Sequence, residues 1–354
     1  MRRVTIFTTN SVEKLHPRIE MQKTILENNG FSVNLVLSTE RREGFVWEII
    51  NLMTLKYFKW RAINRFKKQM DDCDIAHIYD LQLLPLAKVA HKKRKKVIYE
   101  TIDDNVPLNF FAISKKLGFL NLFKGAIIRS MENYEKNFSN KYCHQIIVNS
   151  PNLIAKFKEG KVTYIPYSSP LQDLSSESFS EEKETVFLYL GKLTEGKGAR
   201  IYKDLIEQHK HKMLFFGKAY DAFSIDFSVN NPMVLPMGNL TSSQLKTALL
   251  SAIKEYNLVG LSIILPENES YKWQEANKDI DYIAMGIPFI GNDRPPTLEK
   301  IEKGVGALYT ESKQVNKLLT NTENFYNNCV LSCHSLEKHY TLDAFEIELL
   351  KVYA

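Results

Sequence analysis

Cysteine is scarce and unpatterned in this chain: Cys73, Cys143, Cys329 and Cys333 are dispersed over 354 residues and make no Cys-x-x-Cys pair. Such spacing excludes a disulfide-stapled scaffold and reads as reduced thiols in a cytoplasmic protein. No uncharged run approaches the roughly 18 residues of a membrane span, and no early segment has a signal peptide's apolar core and cleavage site. A protein that is cytoplasmic, or peripheral on a membrane, is therefore expected. Internal repeats, low-complexity tracts and His/Cys metal spacing are missing as well. Two Asp-x-Asp runs occur, but Asp72-Cys73-Asp74 precedes its strand and Asp279-Ile280-Asp281 lies inside a helix pattern, so no metal site is expected. The loop from Asn10 to Arg18 contains no glycine, which excludes a Gly-x-Gly-x-x-Gly cradle there. No bound cofactor is expected.

What is present has the organisation of an α/β protein. An apolar strand near Val4 to Thr8 precedes an amphipathic helix stopped by Gly30, and a second strand follows, which is how a parallel sheet begins. The length allows two domains, each with its own core. Ser168 to Glu184 is rich in Ser, Glu and Asp with few large apolar residues, a linker composition. We divide the chain into a first domain over 1–168, a linker over 169–184, a second domain over 185–330 and a helical C-terminal segment over 331–354. The 47 basic against 41 acidic residues give +6, modest for the size. With basic runs scattered and no recognition module, this favours an anionic ligand or membrane surface over nucleic acid.

Two segments of the second domain have the look of a binding site. The first is an apolar strand ending at Gly191, followed by a loop with Lys192, Glu195, Lys197 and Gly198 and then a helix. Glycines let a backbone approach a phosphate, lysines supply point charges, and a helix start adds its dipole. The second runs from Pro266 to Gly306. A short helix ends at Gly286 and a strand follows from Ile287 to Ile290. Asn292, Asp293 and Arg294 come next, then a helix opened by Thr297-Leu298-Glu299. Residues beyond a strand's carboxyl end face the ligand crevice of an α/β sheet, and a helix start offers unpaired N–H groups to a phosphate.

The stretch from Ala276 to Tyr309 resembles the donor-sugar segment of the family 4 glycosyltransferases, an N-K-x-x-E-Y-x-A-x-G-x-P run followed by a small loop and a later Gly. Asn277, Lys278, Tyr282, Ala284, Gly286 and Pro288 match, while Asp281 stands for the family's Glu and the family's earlier acidic residue falls on Trp273. The loop at Gly191 resembles the family's G-R-x(n)-K-G donor loop, with Lys192 for the arginine and Lys197-Gly198 matching. In the first half, Asp80, Leu84-Pro85 and Tyr99-Glu100 match, but Ile102 replaces a family histidine and Asp103 takes the place of the last acid of that run.

The resemblance implies a GT-B fold of two facing Rossmann-like domains with parallel sheets and a final helix that crosses back to the N-terminal domain. It implies a retaining, hexosyltransferase-type enzyme of bacterial surface-polysaccharide assembly, with a UDP- or GDP-linked sugar as donor and a glycan or lipid-linked acceptor. Lys192 and Lys197 would be catalytic, neutralising the departing diphosphate. Gly191, Gly198, Lys278, Asp281, Tyr282, Arg294, Thr297 and Leu298 would bind the donor, with Asp281 on the ribose. His16, Arg18, Asp80 and Asp103 are the substrate-binding candidates of the first domain. The missing histidine and shifted acid also fit a second reading, an inactive family-like subunit that binds a nucleotide sugar or a partner synthase. Glu48 to Met70 has a helical pattern with six basic residues, and Pro107 to Arg129 is aromatic and basic. Both compositions suit contact with the cytoplasmic face of an inner membrane.

Overall fold

The computed structural model describes residues 1–10, 15–37, 57–102, 105–114, 118–172, 174–176, 178–265, 273 and 275–354. They form two compact units, Met1–Pro166 with Phe345–Ala354, and Tyr167–Ala344.

The first unit carries strands β1 (Arg3–Thr8), β2 (Ser32–Leu37), β3 (Ile75–Tyr79), β4 (Lys96–Thr101), β5 (Gln145–Val148) and β6 (Val162–Tyr164). They pair in the order β2-β1-β3-β4-β5-β6, and every pairing is parallel. Successive side chains on a strand point to opposite faces, so a parallel sheet covered on both faces needs nearly unbroken apolar runs. The split is visible residue by residue. Phe7, Ala76, Ile78, Val97 and Tyr99 enter one apolar cluster, whereas Val4, Ile6, Ile75, Tyr79 and Ile98 enter the other. Helices α1 (Pro17–Asn28), α2 (Trp60–Phe66), α3 (Leu86–Lys92), α4 (Asn105–Ser114) and α5 (Lys124–Tyr142) belong to this unit. Of the helical pattern expected over 48–70, residues 48–56 lie outside the described residues. The rest forms α2 and a 3-10 turn at Lys67–Gln69.

The second unit holds β7 (Glu184–Leu193), β8 (Met213–Ala219), β9 (Val234–Gly238), β10 (Tyr256–Ser262), β11 (Phe289–Gly291) and β12 (Gly306–Leu308), in the parallel order β12-β11-β10-β7-β8-β9. Its helices are α6 (Ala199–His209), α7 (Ala222–Asn230), α8 (Ser242–Glu255), α9 (Asn277–Ala284), α10 (Pro295–Glu302), α11 (Ser312–Thr320) and α12 (Phe325–Glu337). Residues 167–184, polar as they are, belong to this unit, because Leu171 and Leu174 are buried in its core beside Val186 and Leu188. The last helix, α13 (Leu342–Tyr353), spans the boundary at Phe345. Its residues Phe345, Leu349, Val352 and Tyr353 recur at helical spacing and are buried in the first unit's second cluster.

Beneath that helix the first unit buries a polar network. Arg18 donates to Glu100 Oε1 at 2.6 Å and to the carbonyls of Ile165 and Pro166, both at 2.9 Å. Gln22 donates to the other carboxylate oxygen at 2.9 Å and accepts from the Tyr79 hydroxyl, while His77 Nδ1 meets the Tyr353 hydroxyl. Arg18, proposed from sequence as a substrate ligand, is therefore fully engaged in holding α1, β4 and the end of β6 together. Burial alone would raise the Glu100 carboxyl, but the Arg18 guanidinium and His77 bring it down to about 2. A carboxyl depressed in the folded state stabilises above its ordinary 4.5, and that stabilisation is lost as pH falls toward about 2. Arg18→Ala leaves the carboxylate buried without its partner and should cost about 3 to 5 kcal/mol in denaturant titrations at neutral pH. The deficit should shrink as the titration is repeated below pH 4.5; a constant deficit at every pH would contradict this account.

Candidate functional site

The second unit contains a cavity of about 480 Å³ at the carboxyl ends of its central strands. β7 delivers Tyr189, Gly191 and Lys192 to it, and the loop beyond delivers Thr194, Gly196 and Lys197. That loop is tight. Gly198 ends it at φ +86, and a Cβ there would stand 2.9 Å from the Tyr202 ring, so only glycine fits. α6 begins directly after it.

Opposite the loop, the start of α9 lines the cavity with Ala276, Asn277 and Lys278, and Asp281 follows one turn later. α9 is fixed from below. The Tyr282 ring packs on Gly260 of β10, where a Cβ would come within 2.6 Å of it, and its hydroxyl donates to the Leu188 carbonyl at 2.9 Å. Asp279 is fully buried and accepts from Ser262 Oγ and, at 2.8 Å, from Thr297 Oγ1. Arg294, itself 3% exposed, donates to the same Thr297 hydroxyl at 2.9 Å.

The electrostatics of the wall are one-sided. Lys192, Lys197, Lys246 and Lys278 all line it. Lys278 is 9% exposed, and its Nζ lies 4.2 Å from the centroid of the Tyr189 ring with no hydrogen-bond partner. Burial first, and then the charges of Lys197 and Arg294, hold its ammonium well below the ordinary lysine range, with Asp279 opposing. Lys197 is lowered by burial and by Lys192 and Arg294. The two carboxylates on the wall offset this charge only in part. Glu275 is paired with buried Lys300 at 2.7 Å. Asp281 is pushed up to about 7 by burial, with a 2.7 Å hydrogen bond from Ser169 opposing and Asp279 adding to the rise. A partly buried wall with several cations and a helix N-terminus is suited to a multiply charged anion.

The structure thus brings Gly191, Lys192, Lys197, Lys278 and Asp281 together around one cavity. Gly198 shapes the loop without lining it, and Tyr282 lies in the core beneath. Arg294, Thr297 and Leu298 are at the start of α10, where the Thr297 and Leu298 N–H groups already donate to the Arg294 carbonyl. The helix start that faces the cavity is that of α9, one helix earlier than the sequence suggests. In the first unit, His16 caps α1, its Nδ1 accepting from the Arg18 N–H at 3.2 Å, and burial and then Arg18 lower its pKa. Asp80 follows β3 at φ +67, its N–H bonded to the Glu100 carbonyl. Such a left-handed non-glycine residue marks stored strain at a strand end. Asp103 lies outside the described residues. Ser169, Tyr189 and Lys246 are cavity or partner residues that the sequence did not reveal, Ser169 because its surroundings have a linker composition.

Comparison with known proteins locates the fold. No family model matches the chain, and no curated protein matches it. Among solved structures it is similar to Anabaena HepE in complex with UDP and glucose, at TM-score 0.63 and 10% identity over 100% of this chain and 99% of that one. It is also similar to the apo form of the lipopolysaccharide outer core galactosyltransferase WaaB, at 0.60 and 12% over 100% and 99%. A glycosyltransferase from Rickettsia africae gives 0.59 and 13% over 99% and 97%. The likeness runs the length of the chain, and the fold is GT-B.

A buried ammonium with a ring contact but no hydrogen bond opposes folding, so its removal should help stability. Lys278→Met should raise unfolding free energy by about 0.5 to 2 kcal/mol in urea titrations. A loss of stability would show that Lys278 supports the empty fold instead of awaiting an anion.

Proposed function

We propose that the protein is a nucleotide-sugar-dependent glycosyltransferase of the family 4 kind, moving a hexosyl group from a UDP- or GDP-linked donor to a glycan or lipid-linked glycan acceptor. The observation that carries this reading is the convergence of Lys192, Lys197 and Lys278 on one cavity, where Glu275 is committed to Lys300 and burial raises Asp281 to about 7. Two further features support it. HepE, similar over its whole length, is described in complex with UDP and with UDP-glucose, and WaaB is described as a galactosyltransferase. Of the motif residues, Gly191, Lys192, Lys197, Asn277, Lys278 and Asp281 line that same cavity.

In this reading the diphosphate lies between the 191–198 loop and the start of α9. The bond from the anomeric carbon to the diphosphate oxygen breaks as a bond to the acceptor hydroxyl oxygen forms on the same face, with retention of configuration, and the hydroxyl proton passes to the departing diphosphate oxygen. Negative charge builds on the departing oxygen, so Lys197 and Lys192 hold the transition state more tightly than the bound donor. Asp281 accepts from the ribose hydroxyls. Its proton, kept by burial, is displaced when those donors arrive. His16 and Asp80 are the first unit's candidates for the acceptor. The pathway we assign is bacterial surface-polysaccharide assembly at the cytoplasmic face of the inner membrane.

Lys197→Ala should raise the barrier to transfer by about 2 to 4 kcal/mol, roughly 30- to 1000-fold in rate, with a smaller change in donor affinity. Lys197→Arg should keep part of the activity. The measurement is release of free nucleotide diphosphate in the presence of acceptor, using the donor that gives the largest thermal shift. A near-normal rate for Lys197→Ala, or no release by the parent protein with any donor, would favour an inactive nucleotide-sugar-binding subunit.

A further inference from the structure

Among the described residues, most large apolar side chains left in water sit singly or in pairs, as is ordinary for a soluble surface. One place departs from this. The 3-10 helix Gly118–Phe123 of the first unit exposes Phe119 by 63%, Leu122 by 83% and Phe123 by 58% within five residues. Leu120, between them, is 6% exposed and belongs to the unit's core. One side of the turn is thus anchored to the core and the rest stands clear of it. In a 3-10 helix residues i and i+3 eclipse, so Phe119 and Leu122 share an outward face.

The charge nearest this turn in sequence is basic, and the first acid of the helix that follows is Glu132. From Asn105 to Met131 the sequence holds Lys115, Lys116, Lys124 and Arg129 and no Asp or Glu. Lys124 and Arg129, on the helix α5 that follows directly, are exposed. Apolar side chains with neighbouring cations and no acid match an anionic bilayer surface. The rings and leucine enter the headgroup and acyl boundary, about 5 to 10 Å deep, while the cations stay with the lipid phosphates. A protein partner would require complementary acids on its own surface, but lipid headgroups supply negative charge wherever the turn lands.

We propose that the Gly118–Phe123 turn is a membrane-docking site, with Phe119, Leu122 and Phe123 inserting into an anionic phospholipid surface and the cations of the following helix resting on its headgroups. The site goes beyond the transfer reaction and does not depend on it. Its test uses lipid alone and so can fail or succeed independently of the donor cavity.

The experiment is co-sedimentation of the full chain with vesicles of phosphatidylcholine and phosphatidylglycerol in equal parts, compared with phosphatidylcholine alone. The parent protein should partition to the anionic vesicles about tenfold more strongly and should detach in part at high salt. A triple variant, Phe119→Ser with Leu122→Ser and Phe123→Ser, should lose about tenfold or more of that partitioning with an unchanged circular dichroism spectrum. If the triple variant fails to fold, Leu122→Ser alone, at the most exposed position, should still show a measurable loss. Variants that partition like the parent, or a parent that stays in solution with anionic vesicles at low salt, would overturn the proposal. So would a parent that sediments as a dimer without lipid and a variant that does not, because the patch would then be covered by a second copy.

Discussion

The structure of the second unit turns on positive charge crowded at one cavity. Lys197 and Lys278 face the cavity with Lys192 near, and Arg294 adds its field from behind. Mutual repulsion and desolvation oppose this arrangement, and packing must hold it in place. The packing is identifiable. Tyr282 sits on Gly260, Tyr202 closes over Gly198, and Asp279 ties Ser262 of β10 to Thr297 of α10. Each contact fixes a backbone segment that carries one of the cations or the α9 start. Strained electrostatics with firm mechanical support is what a pre-organised anion site requires, since groups already in place need no reorganisation when charge arrives.

The first unit solves the opposite problem. Its buried charges are neutralised internally, with Glu100 taking donors from Arg18 and Gln22 and Arg18 spending its remaining N–H groups on backbone carbonyls. The C-terminal helix seals this network through Tyr353, whose hydroxyl meets His77, and through Phe345, which lies against the Arg18 guanidinium at 4.8 Å. A largely satisfied network of this kind specifies one packing and leaves little charge for a ligand. Its polar residues are therefore architectural, however suggestive they look in a sequence.

That contrast explains what could be read in advance. The α/β class was legible because strands such as Ile75–Tyr79 and Val186–Leu190 are near-continuous apolar runs between helical patterns. The glycine and lysine loop after β7 was legible because it combines a strand end, tight-turn residues and charge in seven positions or so. Arg18 was not, because an arginine at a helix start looks the same whether it meets a phosphate or a buried Glu100. The helix start at the cavity was not legible for a related reason: Pro295-Pro296 marks a helix N-terminus in sequence, whereas α9 begins at Asn277 after Ala276, which has no capping side chain to announce it. Ser169 pairs with Asp281 across 112 positions, and such a contact has no local signature.

The central claim is that cations, and not the base or sugar, carry ligand binding in this cavity. Titration calorimetry of nucleoside, nucleoside monophosphate and nucleoside diphosphate, in the uridine and guanosine series at constant salt, addresses it directly. Charge-assisted hydrogen bonds of roughly 1.5 to 3 kcal/mol predict that affinity climbs about tenfold or more with each phosphate added, and that Lys278→Met flattens the climb. Equal affinity for the nucleoside and its diphosphate, or a climb untouched by Lys278→Met, would contradict the account.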